Sequence, residues 1–157
     1  MIVYHGSSFC VVHPSIDHSR NSTDFSKGFY LTKIKEQAIL WATKKKYVYN
    51  EGLINTYELN EKKLKNFNVL EFESYTIEWL NFVCNCRNKK DETKYDVVIG
   101  PIADDKVYDT INLFLSGLCS AEVAISKLKA VKPNMQICIR SQRAIDELLT
   151  YKSTEAV

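Results

Sequence analysis

The sequence predicts an α+β domain, and three observations carry that prediction. Short runs with strand character recur at Ile2–Tyr4, Phe29–Leu31, Leu53–Leu59, Val69–Phe72, Val97–Ile99 and Ile137–Ile139. Helical spacing of apolar residues falls between some of these runs but not in regular alternation, which argues against repeated βαβ units. No Gly-x-Gly-x-x-Gly follows the first strand, so the dinucleotide-binding crossover has no support. At 157 residues the chain is expected to form one domain over 1–157.

The elements follow in order. Ile2–Tyr4 opens as a strand, and the Ser-, Asp- and Pro-bearing stretch 10–27 reads as a loop. Gly28 precedes the strand Phe29–Leu31. Ala38, Ile39 and Ala42 set the helical period of a segment from Lys35 to Tyr47. After the strands at 53–59 and 69–72, Ser74 is placed to cap a helix carrying Ile77, Leu80, Val83 and Cys84. The charged stretch 85–94 is a surface loop, and Val97–Ile99 is a buried strand ended by Gly100-Pro101. Asp104 or Asp105 can cap the next helix, whose apolar face is Val107, Ile111, Phe114, Leu115 and Leu118, with Gly117 at its end. Ser120 starts another helix. Ser141 starts the last one, which uses Ile145, Leu148 and Leu149.

Composition narrows the function classes. The chain is 45% apolar and 25% charged, as in ordinary folded domains, and no apolar run reaches the roughly 20 residues that span a bilayer. The start, MIVYHGSS, lacks the basic and apolar segments of a secretory signal. The formal net charge of +2 does not favour a bulk electrostatic nucleic-acid binder. Five cysteines, with Cys84 and Cys86 as Cys-x-Cys, give no four-ligand zinc spacing, so free thiols, no metal and a cytoplasmic location are expected.

The chemistry-bearing segments are Tyr4-His5-Gly6-Ser7 and Asp24-Phe25-Ser26-Lys27-Gly28-Phe29-Tyr30-Leu31-Thr32. A glycine after a strand histidine leaves main-chain N–H and C=O groups open to a ligand. Tyr30, and Trp41 eleven residues later, offer two aromatic faces from adjacent elements, enough to sandwich a flat, electron-poor ring. The competing reading makes both rings core aromatics and His5 a hydrogen-bonded strand residue.

With these residues in order, the chain resembles the ADP-ribosyltransferase superfamily. It looks like the diphtheria-toxin-like and poly(ADP-ribose)-polymerase-like branch with a His-Tyr-Glu signature, and especially that branch's small bacterial members. His5-Gly6 matches the first motif. Ser26-Lys27-Gly28-Phe29-Tyr30 followed by Trp41 matches the second. Gln136, in Asn134-Met135-Gln136-Ile137-Cys138-Ile139, stands where the family carries glutamate. The resemblance spans residue 5 to about residue 140. It implies a split mixed and antiparallel sheet with flanking helices.

The resemblance also implies a mono-ADP-ribosyltransferase that takes NAD as substrate and cleaves its nicotinamide–ribose bond. His5 would bond the adenosine ribose, Gly6 the carboxamide, and Tyr30 and Trp41 the two faces of the nicotinamide. Gln136 would meet the 2′-hydroxyl of the nicotinamide ribose. Ser7 and Gly28 lie within the same motifs, and Arg20 is a candidate for the pyrophosphate. Gln136 makes polymer synthesis unfavourable and keeps a second reading open, an inactive NAD- or ADP-ribose-binding module. Ala38 replaces a serine that bonds the carboxamide in many relatives. Asp104 or Asp105 could supply the missing acid, with helix capping as the equal alternative. The acceptor is a protein or a nucleic acid. A toxin–antitoxin or phage-defence setting with a neutralising protein fits the resemblance, and no membrane partner is expected.

Overall fold

A computed structural model describes residues 1–157, the side chains of Asp105 and Lys106 excepted. Strands β1 (Ile2–Ser7), β3 (Leu53–Leu59) and β7 (Leu149–Ala156) form an antiparallel sheet in the order β1-β3-β7. Strands β2 (Phe29–Leu31), β6 (Met135–Ile139), β5 (Val97–Pro101) and β4 (Val69–Glu71) form a second sheet in the order β2-β6-β5-β4. Its pairs are antiparallel except β4 with β5. The two sheets meet at a bridge where Tyr4 and Thr32 exchange main-chain hydrogen bonds of 2.8 and 2.9 Å. The fold is thus α+β with a split sheet, as the sequence predicts.

Strand alternation distributes the core. Phe29 and Leu31 of β2, Val97 of β5, and Ile137 and Ile139 of β6 face inward and pack with Val3, Tyr57 and Leu59 of the first sheet. Helix α5 (Gln142–Leu148) closes this layer with Ala144, Ile145 and Leu148. Their neighbours Tyr30, Val98 and Cys138 point to the opposite face. There they meet α2 (Ile77–Arg87), α3 (Asp105–Leu115) and α4 (Ala121–Leu128) through Trp79, Leu80, Val83, Val107, Ile111, Ala124 and Leu128. Trp79 is fully buried, and its indole N–H donates to the Pro101 carbonyl at 3.1 Å, so its one polar group is satisfied.

Helix α1 (Lys35–Tyr49) lies on the outer face of the first sheet, where it buries the small residues Ala38 and Ala42 against Ile54 and Tyr4. Small side chains let it come very close. A β-carbon on Gly6 would sit 2.4 Å from the Ala38 carbonyl oxygen and 2.8 Å from the Ala42 nitrogen. Helix α1 therefore requires the glycine of the His-Gly pair. On the second sheet, a β-carbon on Gly28 would fall 2.4 Å from Cys138 Sγ.

Several details differ from the sequence expectation: β1 runs on to Ser7 and α1 to Tyr49, α2 takes in residues 85–87 of the stretch read as a surface loop and buries Cys86, and Leu118 lies beyond α3 and is exposed. Thr76, not Ser74, caps α2 by accepting the Trp79 N–H at 3.1 Å. Leu149 belongs to no helix but opens β7, an unpredicted strand. β7 is an edge strand in which none of Leu149–Ala156 is fully buried, and its apolar alternation is limited to Leu149 and Tyr151. The other caps are Asp104, Ser120 and Ser141, each accepting a main-chain N–H three residues on. Among the described residues, no helix is long and apolar enough to cross a membrane.

Replacing Gly6 with alanine is expected to lower stability by about 1–3 kcal/mol, the range for overpacking a tight contact. Urea unfolding would read this as a lower midpoint at unchanged slope.

Candidate functional site

A cleft of about 1540 Å³ opens where β1 and β2 separate. Its lining includes His5, Gly6 and Ser7 from the end of β1, and Arg20, Gly28 and Tyr30 from the following loop and β2. Trp41 comes from α1 and Gln136 from β6. Residues from 5 to 136 thus converge because β6 pairs with β2 while α1 packs on β1. Asp104 is not among the lining residues. It is exposed, and its carboxylate accepts the Val107 N–H at 3.1 Å as the cap of α3. The Asp105 side chain lies outside the described residues.

His5 stands at the divergence itself. Tyr4–Thr32 is an isolated bridge between the strands, and just beyond it His5 Nδ1 lies 2.8 Å from the Tyr30 carbonyl oxygen. A carbonyl only accepts, so Nδ1 carries the proton and Nε2 keeps its lone pair. The imidazole packs on Phe29 with ring centroids 4.4 Å apart. Burial pushes its pKa below the ordinary histidine value; the Tyr30 carbonyl opposes this and the Lys45 charge adds to it. The neutral ring offers a ligand an acceptor.

The main-chain groups of alternate strand residues point to alternate edges. Tyr4 directs its N–H and C=O to Thr32, so Gly6, two residues on, turns its own pair toward the same edge, where β2 has already moved away. Across the opening, the Tyr30 hydroxyl donates to the Ser26 carbonyl at 2.7 Å, accepts the Phe25 N–H at 3.0 Å and lies 2.7 Å from Thr23 Oγ1. Burial, first of all, raises the Tyr30 pKa well above the usual phenol value. That hydroxyl fixes the loop 23–26, which leaves the ring to line the cleft. Trp41 lines the cleft from α1, in line with Lys44, Lys45, Val48 and Tyr49 at helical spacing. Burial and the Arg20 charge both lower the Lys45 pKa, so two cations share this end. Ala38 is fully buried against Ile54.

At the opposite end, Gln136 is 4% exposed and its Nε2 donates to Asp24 Oδ2 at 3.1 Å. The Ala103 N–H donates to the same oxygen at 3.0 Å. Asp24 Oδ1 accepts from Arg87 Nε at 3.1 Å and from Arg87 Nη2 at 2.6 Å. Arg87 in turn lies over the Tyr108 ring, 4.5 Å from its centroid. Asp24 lines the cleft, so a carboxylate does stand beside Gln136. Sequence reasoning missed it because an aspartate in a Ser- and Asn-rich loop reads as a turn residue. Its partners lie 63, 79 and 112 positions away.

A family model described as a protein of unknown function (DUF3990) matches residues 1–151. The chain belongs to the DUF3990 family. No curated protein and no solved structure matches it.

The cleft wall of this DUF3990 chain is pinned by residues that carry no sequence motif. Asn55 of β3 is fully buried; its Oδ1 accepts the Val11 N–H at 2.8 Å and its Nδ2 donates to the Phe9 carbonyl at 3.0 Å. Tyr57 donates its hydroxyl to the Val11 carbonyl, and Gln142 Nε2 donates to the Pro14 carbonyl at 3.0 Å. Loop 9–14 is therefore held against the first sheet and α5. Among the described residues, no group of three or more His, Cys, Asp or Glu could hold a metal ion. The cysteines are free, and burial pushes Cys86 and Cys138 up to about 12.

The depressed His5 pKa has a testable sign. Below the unperturbed value of about 6.5 the unfolded chain binds a proton that the folded chain resists, so stability falls as pH drops through that point toward the lower folded pKa. A His5→Asn variant should lose this part of the acid sensitivity. In melting curves from pH 7.5 to 5, the parent-minus-variant difference should shrink as pH falls.

Proposed function

We propose that this DUF3990 chain is a mono-ADP-ribosyltransferase that uses NAD and transfers ADP-ribose to a macromolecular acceptor. The observation that carries the reading is the convergence of His5, Gly6, Tyr30, Trp41 and Gln136 on one cleft, from motifs more than 100 residues apart. The donor set suits the substrate. Two aromatic faces fit a flat cationic ring, an open strand edge at Gly6 fits a carboxamide, and a neutral imidazole acceptor fits a sugar hydroxyl. Arg20 and Lys45 fit a pyrophosphate.

In the reaction the nicotinamide–ribose C–N bond breaks and its electron pair leaves with nicotinamide. The acceptor's nucleophile supplies the pair for the new bond at the same carbon. The chain's part is positioning: the rings and the Gly6 edge hold the leaving group, while His5 and Gln136 hold the hydroxyls of the two sugars. The cleft exceeds the roughly 300–1,000 Å³ of ordinary small-molecule sites, which leaves room for part of an acceptor beside NAD. The uncharged Gln136 favours single-unit transfer over elongation. It also sustains a second reading, a module that binds NAD or ADP-ribose without turnover. A toxin–antitoxin setting with a neutralising protein, in the cytoplasm, remains part of the proposal and rests on the resemblance.

Incubation with NAD labelled in the adenosine half, alone and with cell extract, should release nicotinamide and move label into protein, RNA or DNA. Folded His5→Ala and Trp41→Ala variants should each lose about tenfold or more in kcat/KM, or about 1.4 kcal/mol of transition-state binding. Turnover equal to the parent's in both variants would sink the assignment. Saturable NAD binding without nicotinamide release would favour the binding module.

A further inference from the structure

The geometry points to Asp24 as the positioning residue that holds the Gln136 amide with its oxygen toward the cleft, making residue 136 an uncharged acceptor for a substrate hydroxyl. The inference rests on the NAD reading for its ligand, but the contact itself does not. All four lone-pair positions of the Asp24 carboxylate meet donors: two from Arg87, one from the Ala103 N–H and one from Gln136 Nε2. A carboxylate so surrounded can only accept, so the nitrogen end of the amide must face Asp24 and Oε1 must face away. Gln136 is 4% exposed and lines the cleft, and among the described residues no donor meets its Oε1. That oxygen is open to the cleft, where a ligand hydroxyl would take the place of water.

The arrangement also sets what residue 136 can be. A glutamate here would face Asp24 Oδ2 at about the 3.1 Å now spanned by the amide hydrogen bond. Two carboxylates at that distance cannot both ionise. Glutamine at 136 and aspartate at 24 are therefore a matched pair, and restoring the family's glutamate alone should damage the site. An asparagine at 24 would keep its amide oxygen for Arg87 and present its amide nitrogen to residue 136, while losing the hydrogen bond that Asp24 Oδ2 now accepts from the Ala103 N–H. A glutamine would then turn its oxygen inward and show a donor to the cleft, whereas a glutamate would accept from that asparagine and still show an acceptor.

The test is a cycle of the parent, Asp24→Asn, Gln136→Glu and the double variant, read by melting temperature from pH 5 to 8 and by nicotinamide release at saturating NAD. In Gln136→Glu the folded pair should keep a proton that the unfolded chain gives up. Its melting temperature should then fall relative to the parent as pH rises, and the double variant should lose that slope. Each single variant should lose about tenfold or more in kcat, and the double variant should turn over faster than either single one, though below the parent because the Ala103 contact stays lost. Such a gain from combining two damaging changes is not expected of a merely structural residue. If Gln136→Glu follows the parent across the pH range, the Asp24–Gln136 contact is wrong, whatever the turnover. If that slope appears but the double variant turns over no faster than the singles, Asp24 does not position the amide for substrate. If the parent releases no nicotinamide while the slope appears, the NAD reading fails and takes the hydroxyl ligand with it, although the contact stands.

Discussion

The cleft exists because the sheet stops being continuous between Tyr4 and Gly6. The two sheets touch at one isolated bridge, Tyr4–Thr32, and one residue later a side chain takes the place of main-chain pairing. The His5 ring spans the widening gap to the Tyr30 carbonyl and rests on Phe29, a member of the layer between the sheets. This single contact joins the last ordered pairing of the strands to the first open edge. It ties the carbonyl of a cleft aromatic to the strand whose glycine faces the opening. It also decides the tautomer of the imidazole, while burial keeps the ring neutral against the pull of that carbonyl, so the geometry that parts the strands prepares the acceptor.

Close packing of α1 explains a residue that is easily assigned to ligand binding alone. The Gly6 α-carbon is covered by the helix, with the Ala38 carbonyl where a methyl group would be. The close approach of α1 also carries Trp41 to the cleft rim. Gly6 and Ala38 are therefore linked through one helix–strand contact, and a serine at 38 would have to fit a fully buried position. Ligand access and fold stability are not separable demands at this site.

Much of the fold was legible because the strands of the central layer are short apolar runs and the later helices carry capping residues at their starts. The central pairings were less so: nothing in Leu149–Ala156 alternates in burial strongly enough to announce β7, whose hold on the fold comes from pairing with β3. At the site, His5, Gly6, Tyr30, Trp41 and Gln136 could be read because they sit in motifs with fixed spacing. Asp24, Arg87 and Asn55 could not, since each works through partners distant in sequence. Asp104 was legible as a cap and could not be told from a cleft acid by sequence, because both roles place an aspartate between a strand end and a helix start.

Charge is distributed unevenly along the cleft, and the distribution bears on what the proposed chemistry can achieve. Arg20 and Lys45 lie near enough at one end for their charges to oppose each other, which favours an anionic group between them. At the other end the cleft carboxylate, Asp24, is already matched by Arg87 at 2.6 Å. Beside it stands the uncharged amide of Gln136. A developing sugar cation there would meet oriented dipoles and hydrogen-bond acceptors but little net negative potential. Preorganised dipoles can still stabilise a transition state when water is excluded, yet they give up the long-range attraction of a bare carboxylate. Under the proposed chemistry, a site built this way would depend more heavily on the grip at the pyrophosphate and nicotinamide ends. Substrate binding remote from the reacting carbon would then have to carry a larger share of the barrier reduction.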